Sequence, residues 1–173
     1  SPLAVEATGI FLQSHESNFD PETLAVIRQG INPIWFPGIR LSVSADESRA
    51  INMDTQPKVI LSASGMCEAG RIRHHLKHNL WRRESTILFV GYQAANTIGG
   101  RLIAGESVVE LFNEPIRVAA HIENLNGVSG HADRDLLLKW LSDLSRKPRR
   151  VYVNHGDNKA CEALAAAIDE ELG

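Results

Sequence analysis

The chain has 173 residues, about one domain's worth, and 43% of them are hydrophobic, enough to bury a core and to exclude disorder over most of its length. Its 18 Lys and Arg against 21 Asp and Glu leave a formal charge of -3, so a contact with nucleic acid must use a local basic surface, not the field of the whole protein. The two cysteines, Cys67 and Cys161, suggest neither a disulfide framework nor a cysteine zinc site, and no apolar run approaches the ~20 residues of a membrane span. The expectation is a soluble, cytoplasmic protein without a signal peptide at Ser1-Pro2-Leu3, with Ser1 marking a cut out of a longer protein.

Ser1-Pro2 reads as a helix start, with Leu3, Ala7, Ile10 and Phe11 on one core-facing side. Asp20-Pro21-Glu22 caps a second helix that ends at Gly30, and an aromatic, Pro-rich turn follows from Asn32 to Gly38. Leu41 to Ser44 alternates as a short strand, Asp46 caps a helix through Asn52, and Val59-Ile60-Leu61 reads as a buried strand ending in small residues. Arg71 to Leu80 is a basic helix, Thr86 to Val90 an apolar strand, and Gly91-Tyr92-Gln93 turns toward a short helix around Gly100 to Ala104. Strand, small-residue turn, helix and strand in succession predict a parallel α/β sheet.

From about Ser107 the pattern changes. Val108 to Phe112 and Ile116 to Ile122 read as a strand pair turning at Glu114-Pro115. Asp133 caps a helix with Leu137, Trp140, Leu141 and Leu144 inward, Val151 to Val153 reads as a strand, and the last helix turns Cys161, Leu164, Ala165 and Ile168 inward.

Two histidines stand at element ends beside acids, in Ser129-Gly130-His131-Ala132-Asp133 and in Asn154-His155-Gly156-Asp157. An imidazole so placed can bind zinc or, with a carboxylate fixing its other nitrogen, move a proton near neutral pH; the same His-Gly-Asp pattern also makes an ordinary turn. The Ser62-Ala63-Ser64-Gly65-Met66 turn and Thr97-Ile98-Gly99-Gly100, backed by Arg101, admit two readings: cradles whose backbone N–H groups meet a phosphate, or tight turns that let strand and helix pack. Arg71, Arg73, Lys77, Arg82 and Arg83 with His74, His75 and His78 form the one concentrated basic stretch, either a track for phosphates or a solvated helix face. Trp35 and Phe36 are either base-stacking side chains or a packed turn; His121, Cys67 and Cys161 read as structural, and His15 as a surface residue.

The four segments Leu61-Ser62-Ala63-Ser64-Gly65-Met66, Gly91-Tyr92-Gln93, Ser129 to Asp133 and Asn154 to Asp157, in this order, make the chain resemble the β-CASP nucleases of the metallo-β-lactamase superfamily. That group includes ribonuclease J and the endonuclease subunit of the mRNA cleavage and polyadenylation machinery. The resemblance covers nearly the whole chain and lies nearer the RNA-directed members than the DNA-repair branch. It implies an α/β fold: a Rossmann-like β-CASP domain over residues 1–106, its parallel sheet flanked by helices, then over residues 107–173 the C-terminal part of a split metallo-β-lactamase αββα domain.

The resemblance also implies roles. His131 matches the motif B histidine, which protonates the leaving oxygen or steadies the scissile phosphate, and His155 matches motif C, a ligand to one of two zinc ions. Ser129, Asp133 and Asp157 would support them. Ser62, Ser64, Gly65, Met66, Thr97, Gly99 and Arg101 would line the path of single-stranded RNA, and a homodimer would be in keeping with such enzymes. The family's H-x-H-x-D-H motif and remaining metal ligands lie outside these residues, so the chain alone is expected to be inactive. Asn96 stands where the family has glycine, a small departure because Asn tolerates left-handed φ. The rival readings are a catalytically silent RNA-binding relative and a small-molecule metallo-hydrolase.

Overall fold

The computed structural model describes residues 2–13, 19–125, 127 and 130–173. The chain divides into two compact units, Ser1–Val128 and Ser129–Gly173. In the first, α1 (Pro2–Gln13) forms where its apolar spacing predicts it, but Leu3, Ile10 and Phe11 are exposed and no residue of α1 is buried. The proposed cap at Ser1, and His15, lie outside the described residues. α2 (Pro21–Arg28) starts as read: the Thr23 N–H donates to Asp20 Oδ1 at 2.8 Å, Pro21 fills the first turn, and Gly30 takes φ 82 just past the end.

α3 (Ala45–Met53) is capped by Ser44, not by Asp46. The Glu47 N–H donates to Ser44 Oγ at 3.1 Å and the Ser44 N–H donates back to Glu47 Oε2 at 2.9 Å, a reciprocal box. Because Glu47 Oε2 also accepts from the Val43 N–H at 2.7 Å, residues 41–44 become the lead-in to a helix and form no strand. Val59 to Leu61 likewise forms no strand, and Val59 and Leu61 are exposed; β1 (Thr86–Phe89) takes a different partner.

That partner is β4 (His121–Asn124), parallel to β1 with Thr86 opposite His121 and Phe89 opposite Asn124. α4 (Ile72–Asn79) precedes β1, and between β1 and β4 come α5 (Ile98–Ile103) and the antiparallel pair β2 (Val108–Leu111) and β3 (Glu114–Arg117). The hairpin turns at Phe112-Asn113, whose φ values of 56 and 60 give the left-handed geometry that matches strand twist, and not at Glu114-Pro115. Pro115 sits inside β3 opposite Glu110, tolerated because a two-stranded ribbon leaves one side of each strand unpaired. Residues 116–122 are not one strand. The N–H groups of Ala119 and Ala120 both donate to the Leu80 carbonyl, at 2.7 and 2.9 Å, which ends β3 and redirects the chain to β1.

The core of this unit is Cys67, Leu76, Leu80, Phe89, Ile98, Leu102, Val109 and Leu111, where full burial of a large apolar side chain contributes roughly 1.5–3 kcal/mol. Three polar side chains among the described residues of this unit are buried as well, Ser48, Asn52 and His75. His75 on α4 meets Asn52 Oδ1 with Nδ1 at 2.8 Å and Ser48 Oγ with Nε2 at 3.3 Å, both on α3. The Asn52 carbonyl oxygen can only accept, so Nδ1 carries the proton and Nε2 accepts from the Ser48 hydroxyl.

In the second unit α6 (Arg134–Ser142) packs on α7 (Asn158–Leu172), with Arg134 bonded to Glu171 and Lys147 Nζ donating to the Leu172 carbonyl at 2.9 Å. Asp133 caps α6 as read, accepting from the Leu136 N–H at 2.9 Å. Trp140 is exposed and Leu138 takes the inward position; likewise Ala165 is exposed and Ala167 is buried, in each case two residues along and so on nearly the opposite face of the helix. Residues 151–153 form no strand, since the described part of this unit offers no strand to pair with. The fold is therefore mixed α/β with one small parallel and one small antiparallel sheet.

Candidate functional site

The two turns read as phosphate cradles lie against each other in the first unit. Ser64 takes φ 69, Cys67 takes φ 63, and the Cys67 N–H closes the turn on the Ser64 carbonyl at 2.8 Å. Met66 then ties this turn to the next one. Its carbonyl accepts from the Gly99 N–H at 3.2 Å and its Sδ accepts from the Ala94 N–H at 3.3 Å. Glycine is required at Gly100, where a Cβ would overlap the Ala94 carbonyl of the backbone, whereas one on Gly99 would press on the Gln93 side-chain amide and force it aside.

The donors at the start of α5 already have acceptors within the chain. Glu68 Oε1 accepts from the Ile98 N–H at 2.6 Å and Thr97 Oγ1 accepts from the Gly100 N–H at 3.1 Å. A phosphate arriving there meets the Glu68 carboxylate, which occupies the electropositive end of the helix. Sequence reasoning missed Glu68, because its only signal is an acid following a small-residue turn and its partner lies 30 residues away. Gln93 is the other residue of interest: Oε1 is buried with no hydrogen-bond partner among the described residues, while Nε2 reaches the Gly91 carbonyl at 3.4 Å.

Arg101 points its fork at Glu106, with Nε at 3.0 and 2.9 Å from the two carboxylate oxygens and Nη2 at 2.7 Å from Oε2. The guanidinium holds the Glu106 carboxyl below its usual range. Ser62 is half-buried, Ser64 and Gly65 are exposed, and Cys67 is buried, which pushes its thiol up to about 11.

The histidines belong to the second unit. His131 is exposed two residues ahead of the Asp133 cap, and the Asp133 carboxylate serves α6. His155 is exposed with φ 62, a left-handed conformation that lets the chain turn from residues 151–153 into α7. Gly156 follows because a side chain there would press on Cys161 Sγ, and Asp157 occupies the N-cap of α7 without a side-chain cap bond. Ser129 lies outside the described residues. Exposed imidazoles in such loops can exchange protons or bind a metal, but the described residues gather no group of three or more His, Cys, Asp or Glu. No described helix is long and apolar enough to cross a membrane.

Comparison with known proteins adds the following. Residues 1–102 match the Beta-Casp domain family and residues 115–173 match the Zn-dependent metallo-hydrolase RNA specificity domain. The chain is 38% identical over 150 residues to "Ribonuclease TTHA0252" of Thermus thermophilus, covering 87% of this chain and 34% of that protein. It is 30% identical over 172 residues to "Transcription termination factor FttA" of Methanosarcina mazei, covering 96% of this chain and 27% of that protein. Against the protein of the same name from Cenarchaeum symbiosum the identity is 32% over 171 residues, covering 96% and 24%. The chain thus spans about a third or less of the length of these relatives.

Proposed function

Because this chain belongs to the β-CASP family, we propose that it is the RNA-handling segment of a zinc-dependent ribonuclease that hydrolyses phosphodiester bonds of single-stranded RNA. The observation that carries the reading is the succession, on one chain, of a Beta-Casp domain and a Zn-dependent metallo-hydrolase RNA specificity domain, the latter presenting His131 and His155 in exposed loops at the entries of α6 and α7. In this reading residues 1–106 are the Rossmann-like part and residues 107–173 return to a split metallo-β-lactamase domain, a boundary that falls between the two family matches.

A catalytic zinc site uses three or more protein ligands, and the described residues of this chain do not fit one by themselves. In this reading His155 would supply one imidazole to a zinc centre together with ligands not among these residues, and the chain alone is expected not to cleave RNA. His131 would give its proton to the leaving oxygen as a water oxygen bonds to phosphorus and the P–O bond breaks, or would steady the scissile phosphate. A positioned acid of this kind contributes about 10²–10⁴ in rate. The adjoining turns at Ser62–Met66 and Thr97–Arg101 hold the RNA backbone by displacing Glu68 and Glu106 from the groups those carboxylates now occupy.

The test is a pair of substitutions in the full-length protein, read by zinc content and by cleavage of a labelled single-stranded RNA. His131→Ala is expected to cut turnover while zinc is retained, and His155→Ala to lose metal; equal zinc loss in both refutes the division of roles. Several relatives bear the name of a transcription termination factor and not that of a nuclease, which favours a second reading, an RNA-binding protein that does not cut. Tight RNA binding by the wild type with no cleavage at any metal loading selects that reading.

A further inference from the structure

We propose that Arg73 and Lys77, set around the ring of Phe112 where α4 meets the β2–β3 turn, form an accessory contact for successive phosphates of single-stranded RNA. The proposal rests on the RNA reading above and adds to it a site outside the motif residues. Phe112 is an aromatic residue in left-handed backbone, φ 56, at a hairpin turn where Gly, Asn or Asp is usual. Such strain persists only where surrounding contacts hold it, and it clusters at functional sites.

The contacts here are cationic. The Arg73 guanidinium lies 4.6 Å from the ring centroid, Lys77 Nζ lies 5.9 Å from it, and the His74 ring stacks on it at 4.5 Å with an interplanar angle of 29°. Arg73 has no ion-pair partner among the described residues, and its Nε is buried without an acceptor. Lys77 alone has a local acid, Glu114 at 2.6 Å. The cluster therefore carries a net positive charge on a chain whose formal charge is -3.

Residues at i and i+4 of a helix stand about 5–6 Å apart at Cβ, which suits one cation per successive phosphate. The ring orients both cations before the ligand arrives, so less side-chain freedom is lost on binding. Just past the end of α4 the pairing recurs, with the Arg82 guanidinium 5.1 Å from the centroid of the exposed Trp81 ring. Aromatic rings alternating with cations are the chemistry of single-stranded nucleic acid, where bases stack and phosphates pair.

The experiment is fluorescence anisotropy of a labelled oligouridylate on the full-length protein, with chelator present so that the RNA stays intact, titrated between about 50 and 200 mM salt. For single strands each phosphate contact contributes about 0.7 to the slope of log K against log salt, so Arg73→Gln with Lys77→Gln should flatten the slope by up to about 1.4 and weaken binding up to about 25-fold near 0.1 M. Lys77→Gln alone, a partly exposed position outside the core, should flatten it by up to about 0.7, less what the freed Glu114 offsets, whether or not the double variant folds well. An unchanged slope in Lys77→Gln overturns the proposal and leaves the cluster as a clasp for the hairpin. No RNA binding by the wild type overturns it together with the RNA reading, whereas wild-type binding matched in affinity and slope by both variants overturns the accessory contact alone.

Discussion

Removing the Asn52 side chain should loosen α3 from α4, and the structure sets the size of the effect. In Asn52→Ala the buried His75 Nδ1–H loses its 2.8 Å acceptor, which costs about 1–3 kcal/mol for a donor left unpaired. Ser48→Ala breaks only the longer 3.3 Å bond and should cost less, about 0.5–1.5 kcal/mol. The pH dependence has a definite sign. Burial, joined by the positive charge of His74, His78 and Arg71, holds the His75 imidazole below its ordinary 6.5. In the window between that lowered value and 6.5 the unfolded chain binds a proton that the folded chain does not. The His75 contribution is therefore complete above about 6.5 and is lost on acidification, at up to about 1.4 kcal/mol per pH unit until the folded value is reached. The carboxyls of Asp20, Glu47, Asp54 and Glu106 are all held below their ordinary values, so their losses fall in a separate, more acidic range. Amide hydrogen exchange across α4, corrected for intrinsic rates, reads local opening directly. Asn52→Ala should raise the opening constant about 5- to 150-fold, and His75→Leu should abolish the slope just below pH 6.5. If that slope survives in His75→Leu, or Asn52→Ala opens no faster than wild type, the network does not hold these helices together.

Gly100→Ala should destabilise the first unit by about 1–3 kcal/mol, because its Cβ has no space beside the Ala94 carbonyl, whereas Gly9→Ala, with open space on α1, should gain about 0.5–1 kcal/mol; denaturant midpoints compare the two. Cys67, buried and with its thiol pushed up to about 11, should resist iodoacetamide at neutral pH until the chain unfolds, and half-buried Cys161 should be alkylated first by peptide mass spectrometry. Labelling of Cys67 at the same rate as Cys161 in the folded protein would mean that the Ser64–Cys67 turn opens readily.

How much was legible in the sequence depended on how local the determining physics is. The cap at Asp133, the cap at Asp20 with Pro21 behind it, and the strand at Thr86 rest on interactions within a few residues and were read correctly. The cap at Ser44 was missed by two positions because Asp46 is an equally good capping residue and only the reciprocal bond with Glu47 decides between them. Strands were harder, since a ladder needs a partner that may be distant. The Leu80 carbonyl that splits residues 116–122 lies far away in sequence, and Val59 to Leu61 has the composition of a strand but no neighbour. At the candidate site the two small-residue turns were found by composition, while Glu68, whose carboxylate joins them, and the ring of Phe112 became visible only through contacts made across the fold.

Those acids also bear on the contradiction between a chain of charge -3 and the proposed RNA partner. Glu68 sits on the Ile98 N–H, Glu106 on Arg101 and Glu114 on Lys77, so three places suited to a phosphate are each held by a carboxylate of the chain. Such a pair, with the Arg101 and Glu106 side chains 37% and 42% exposed, stays open to water and salt and can be exchanged for a phosphate that offers the guanidinium the same fork geometry. The overall charge is then no measure of affinity, because bound RNA would replace acids already spent on the same donors. Glu106→Gln tests this in the full-length protein. It removes the competitor of Arg101 without touching the guanidinium, so RNA affinity at low salt should rise, and the dependence on salt should steepen because no freed carboxylate takes up a cation as the RNA binds. Weaker binding in Glu106→Gln would show instead that the carboxylate positions Arg101 for the RNA, and exchange would have to be abandoned as the way this acidic chain accommodates a polyanion.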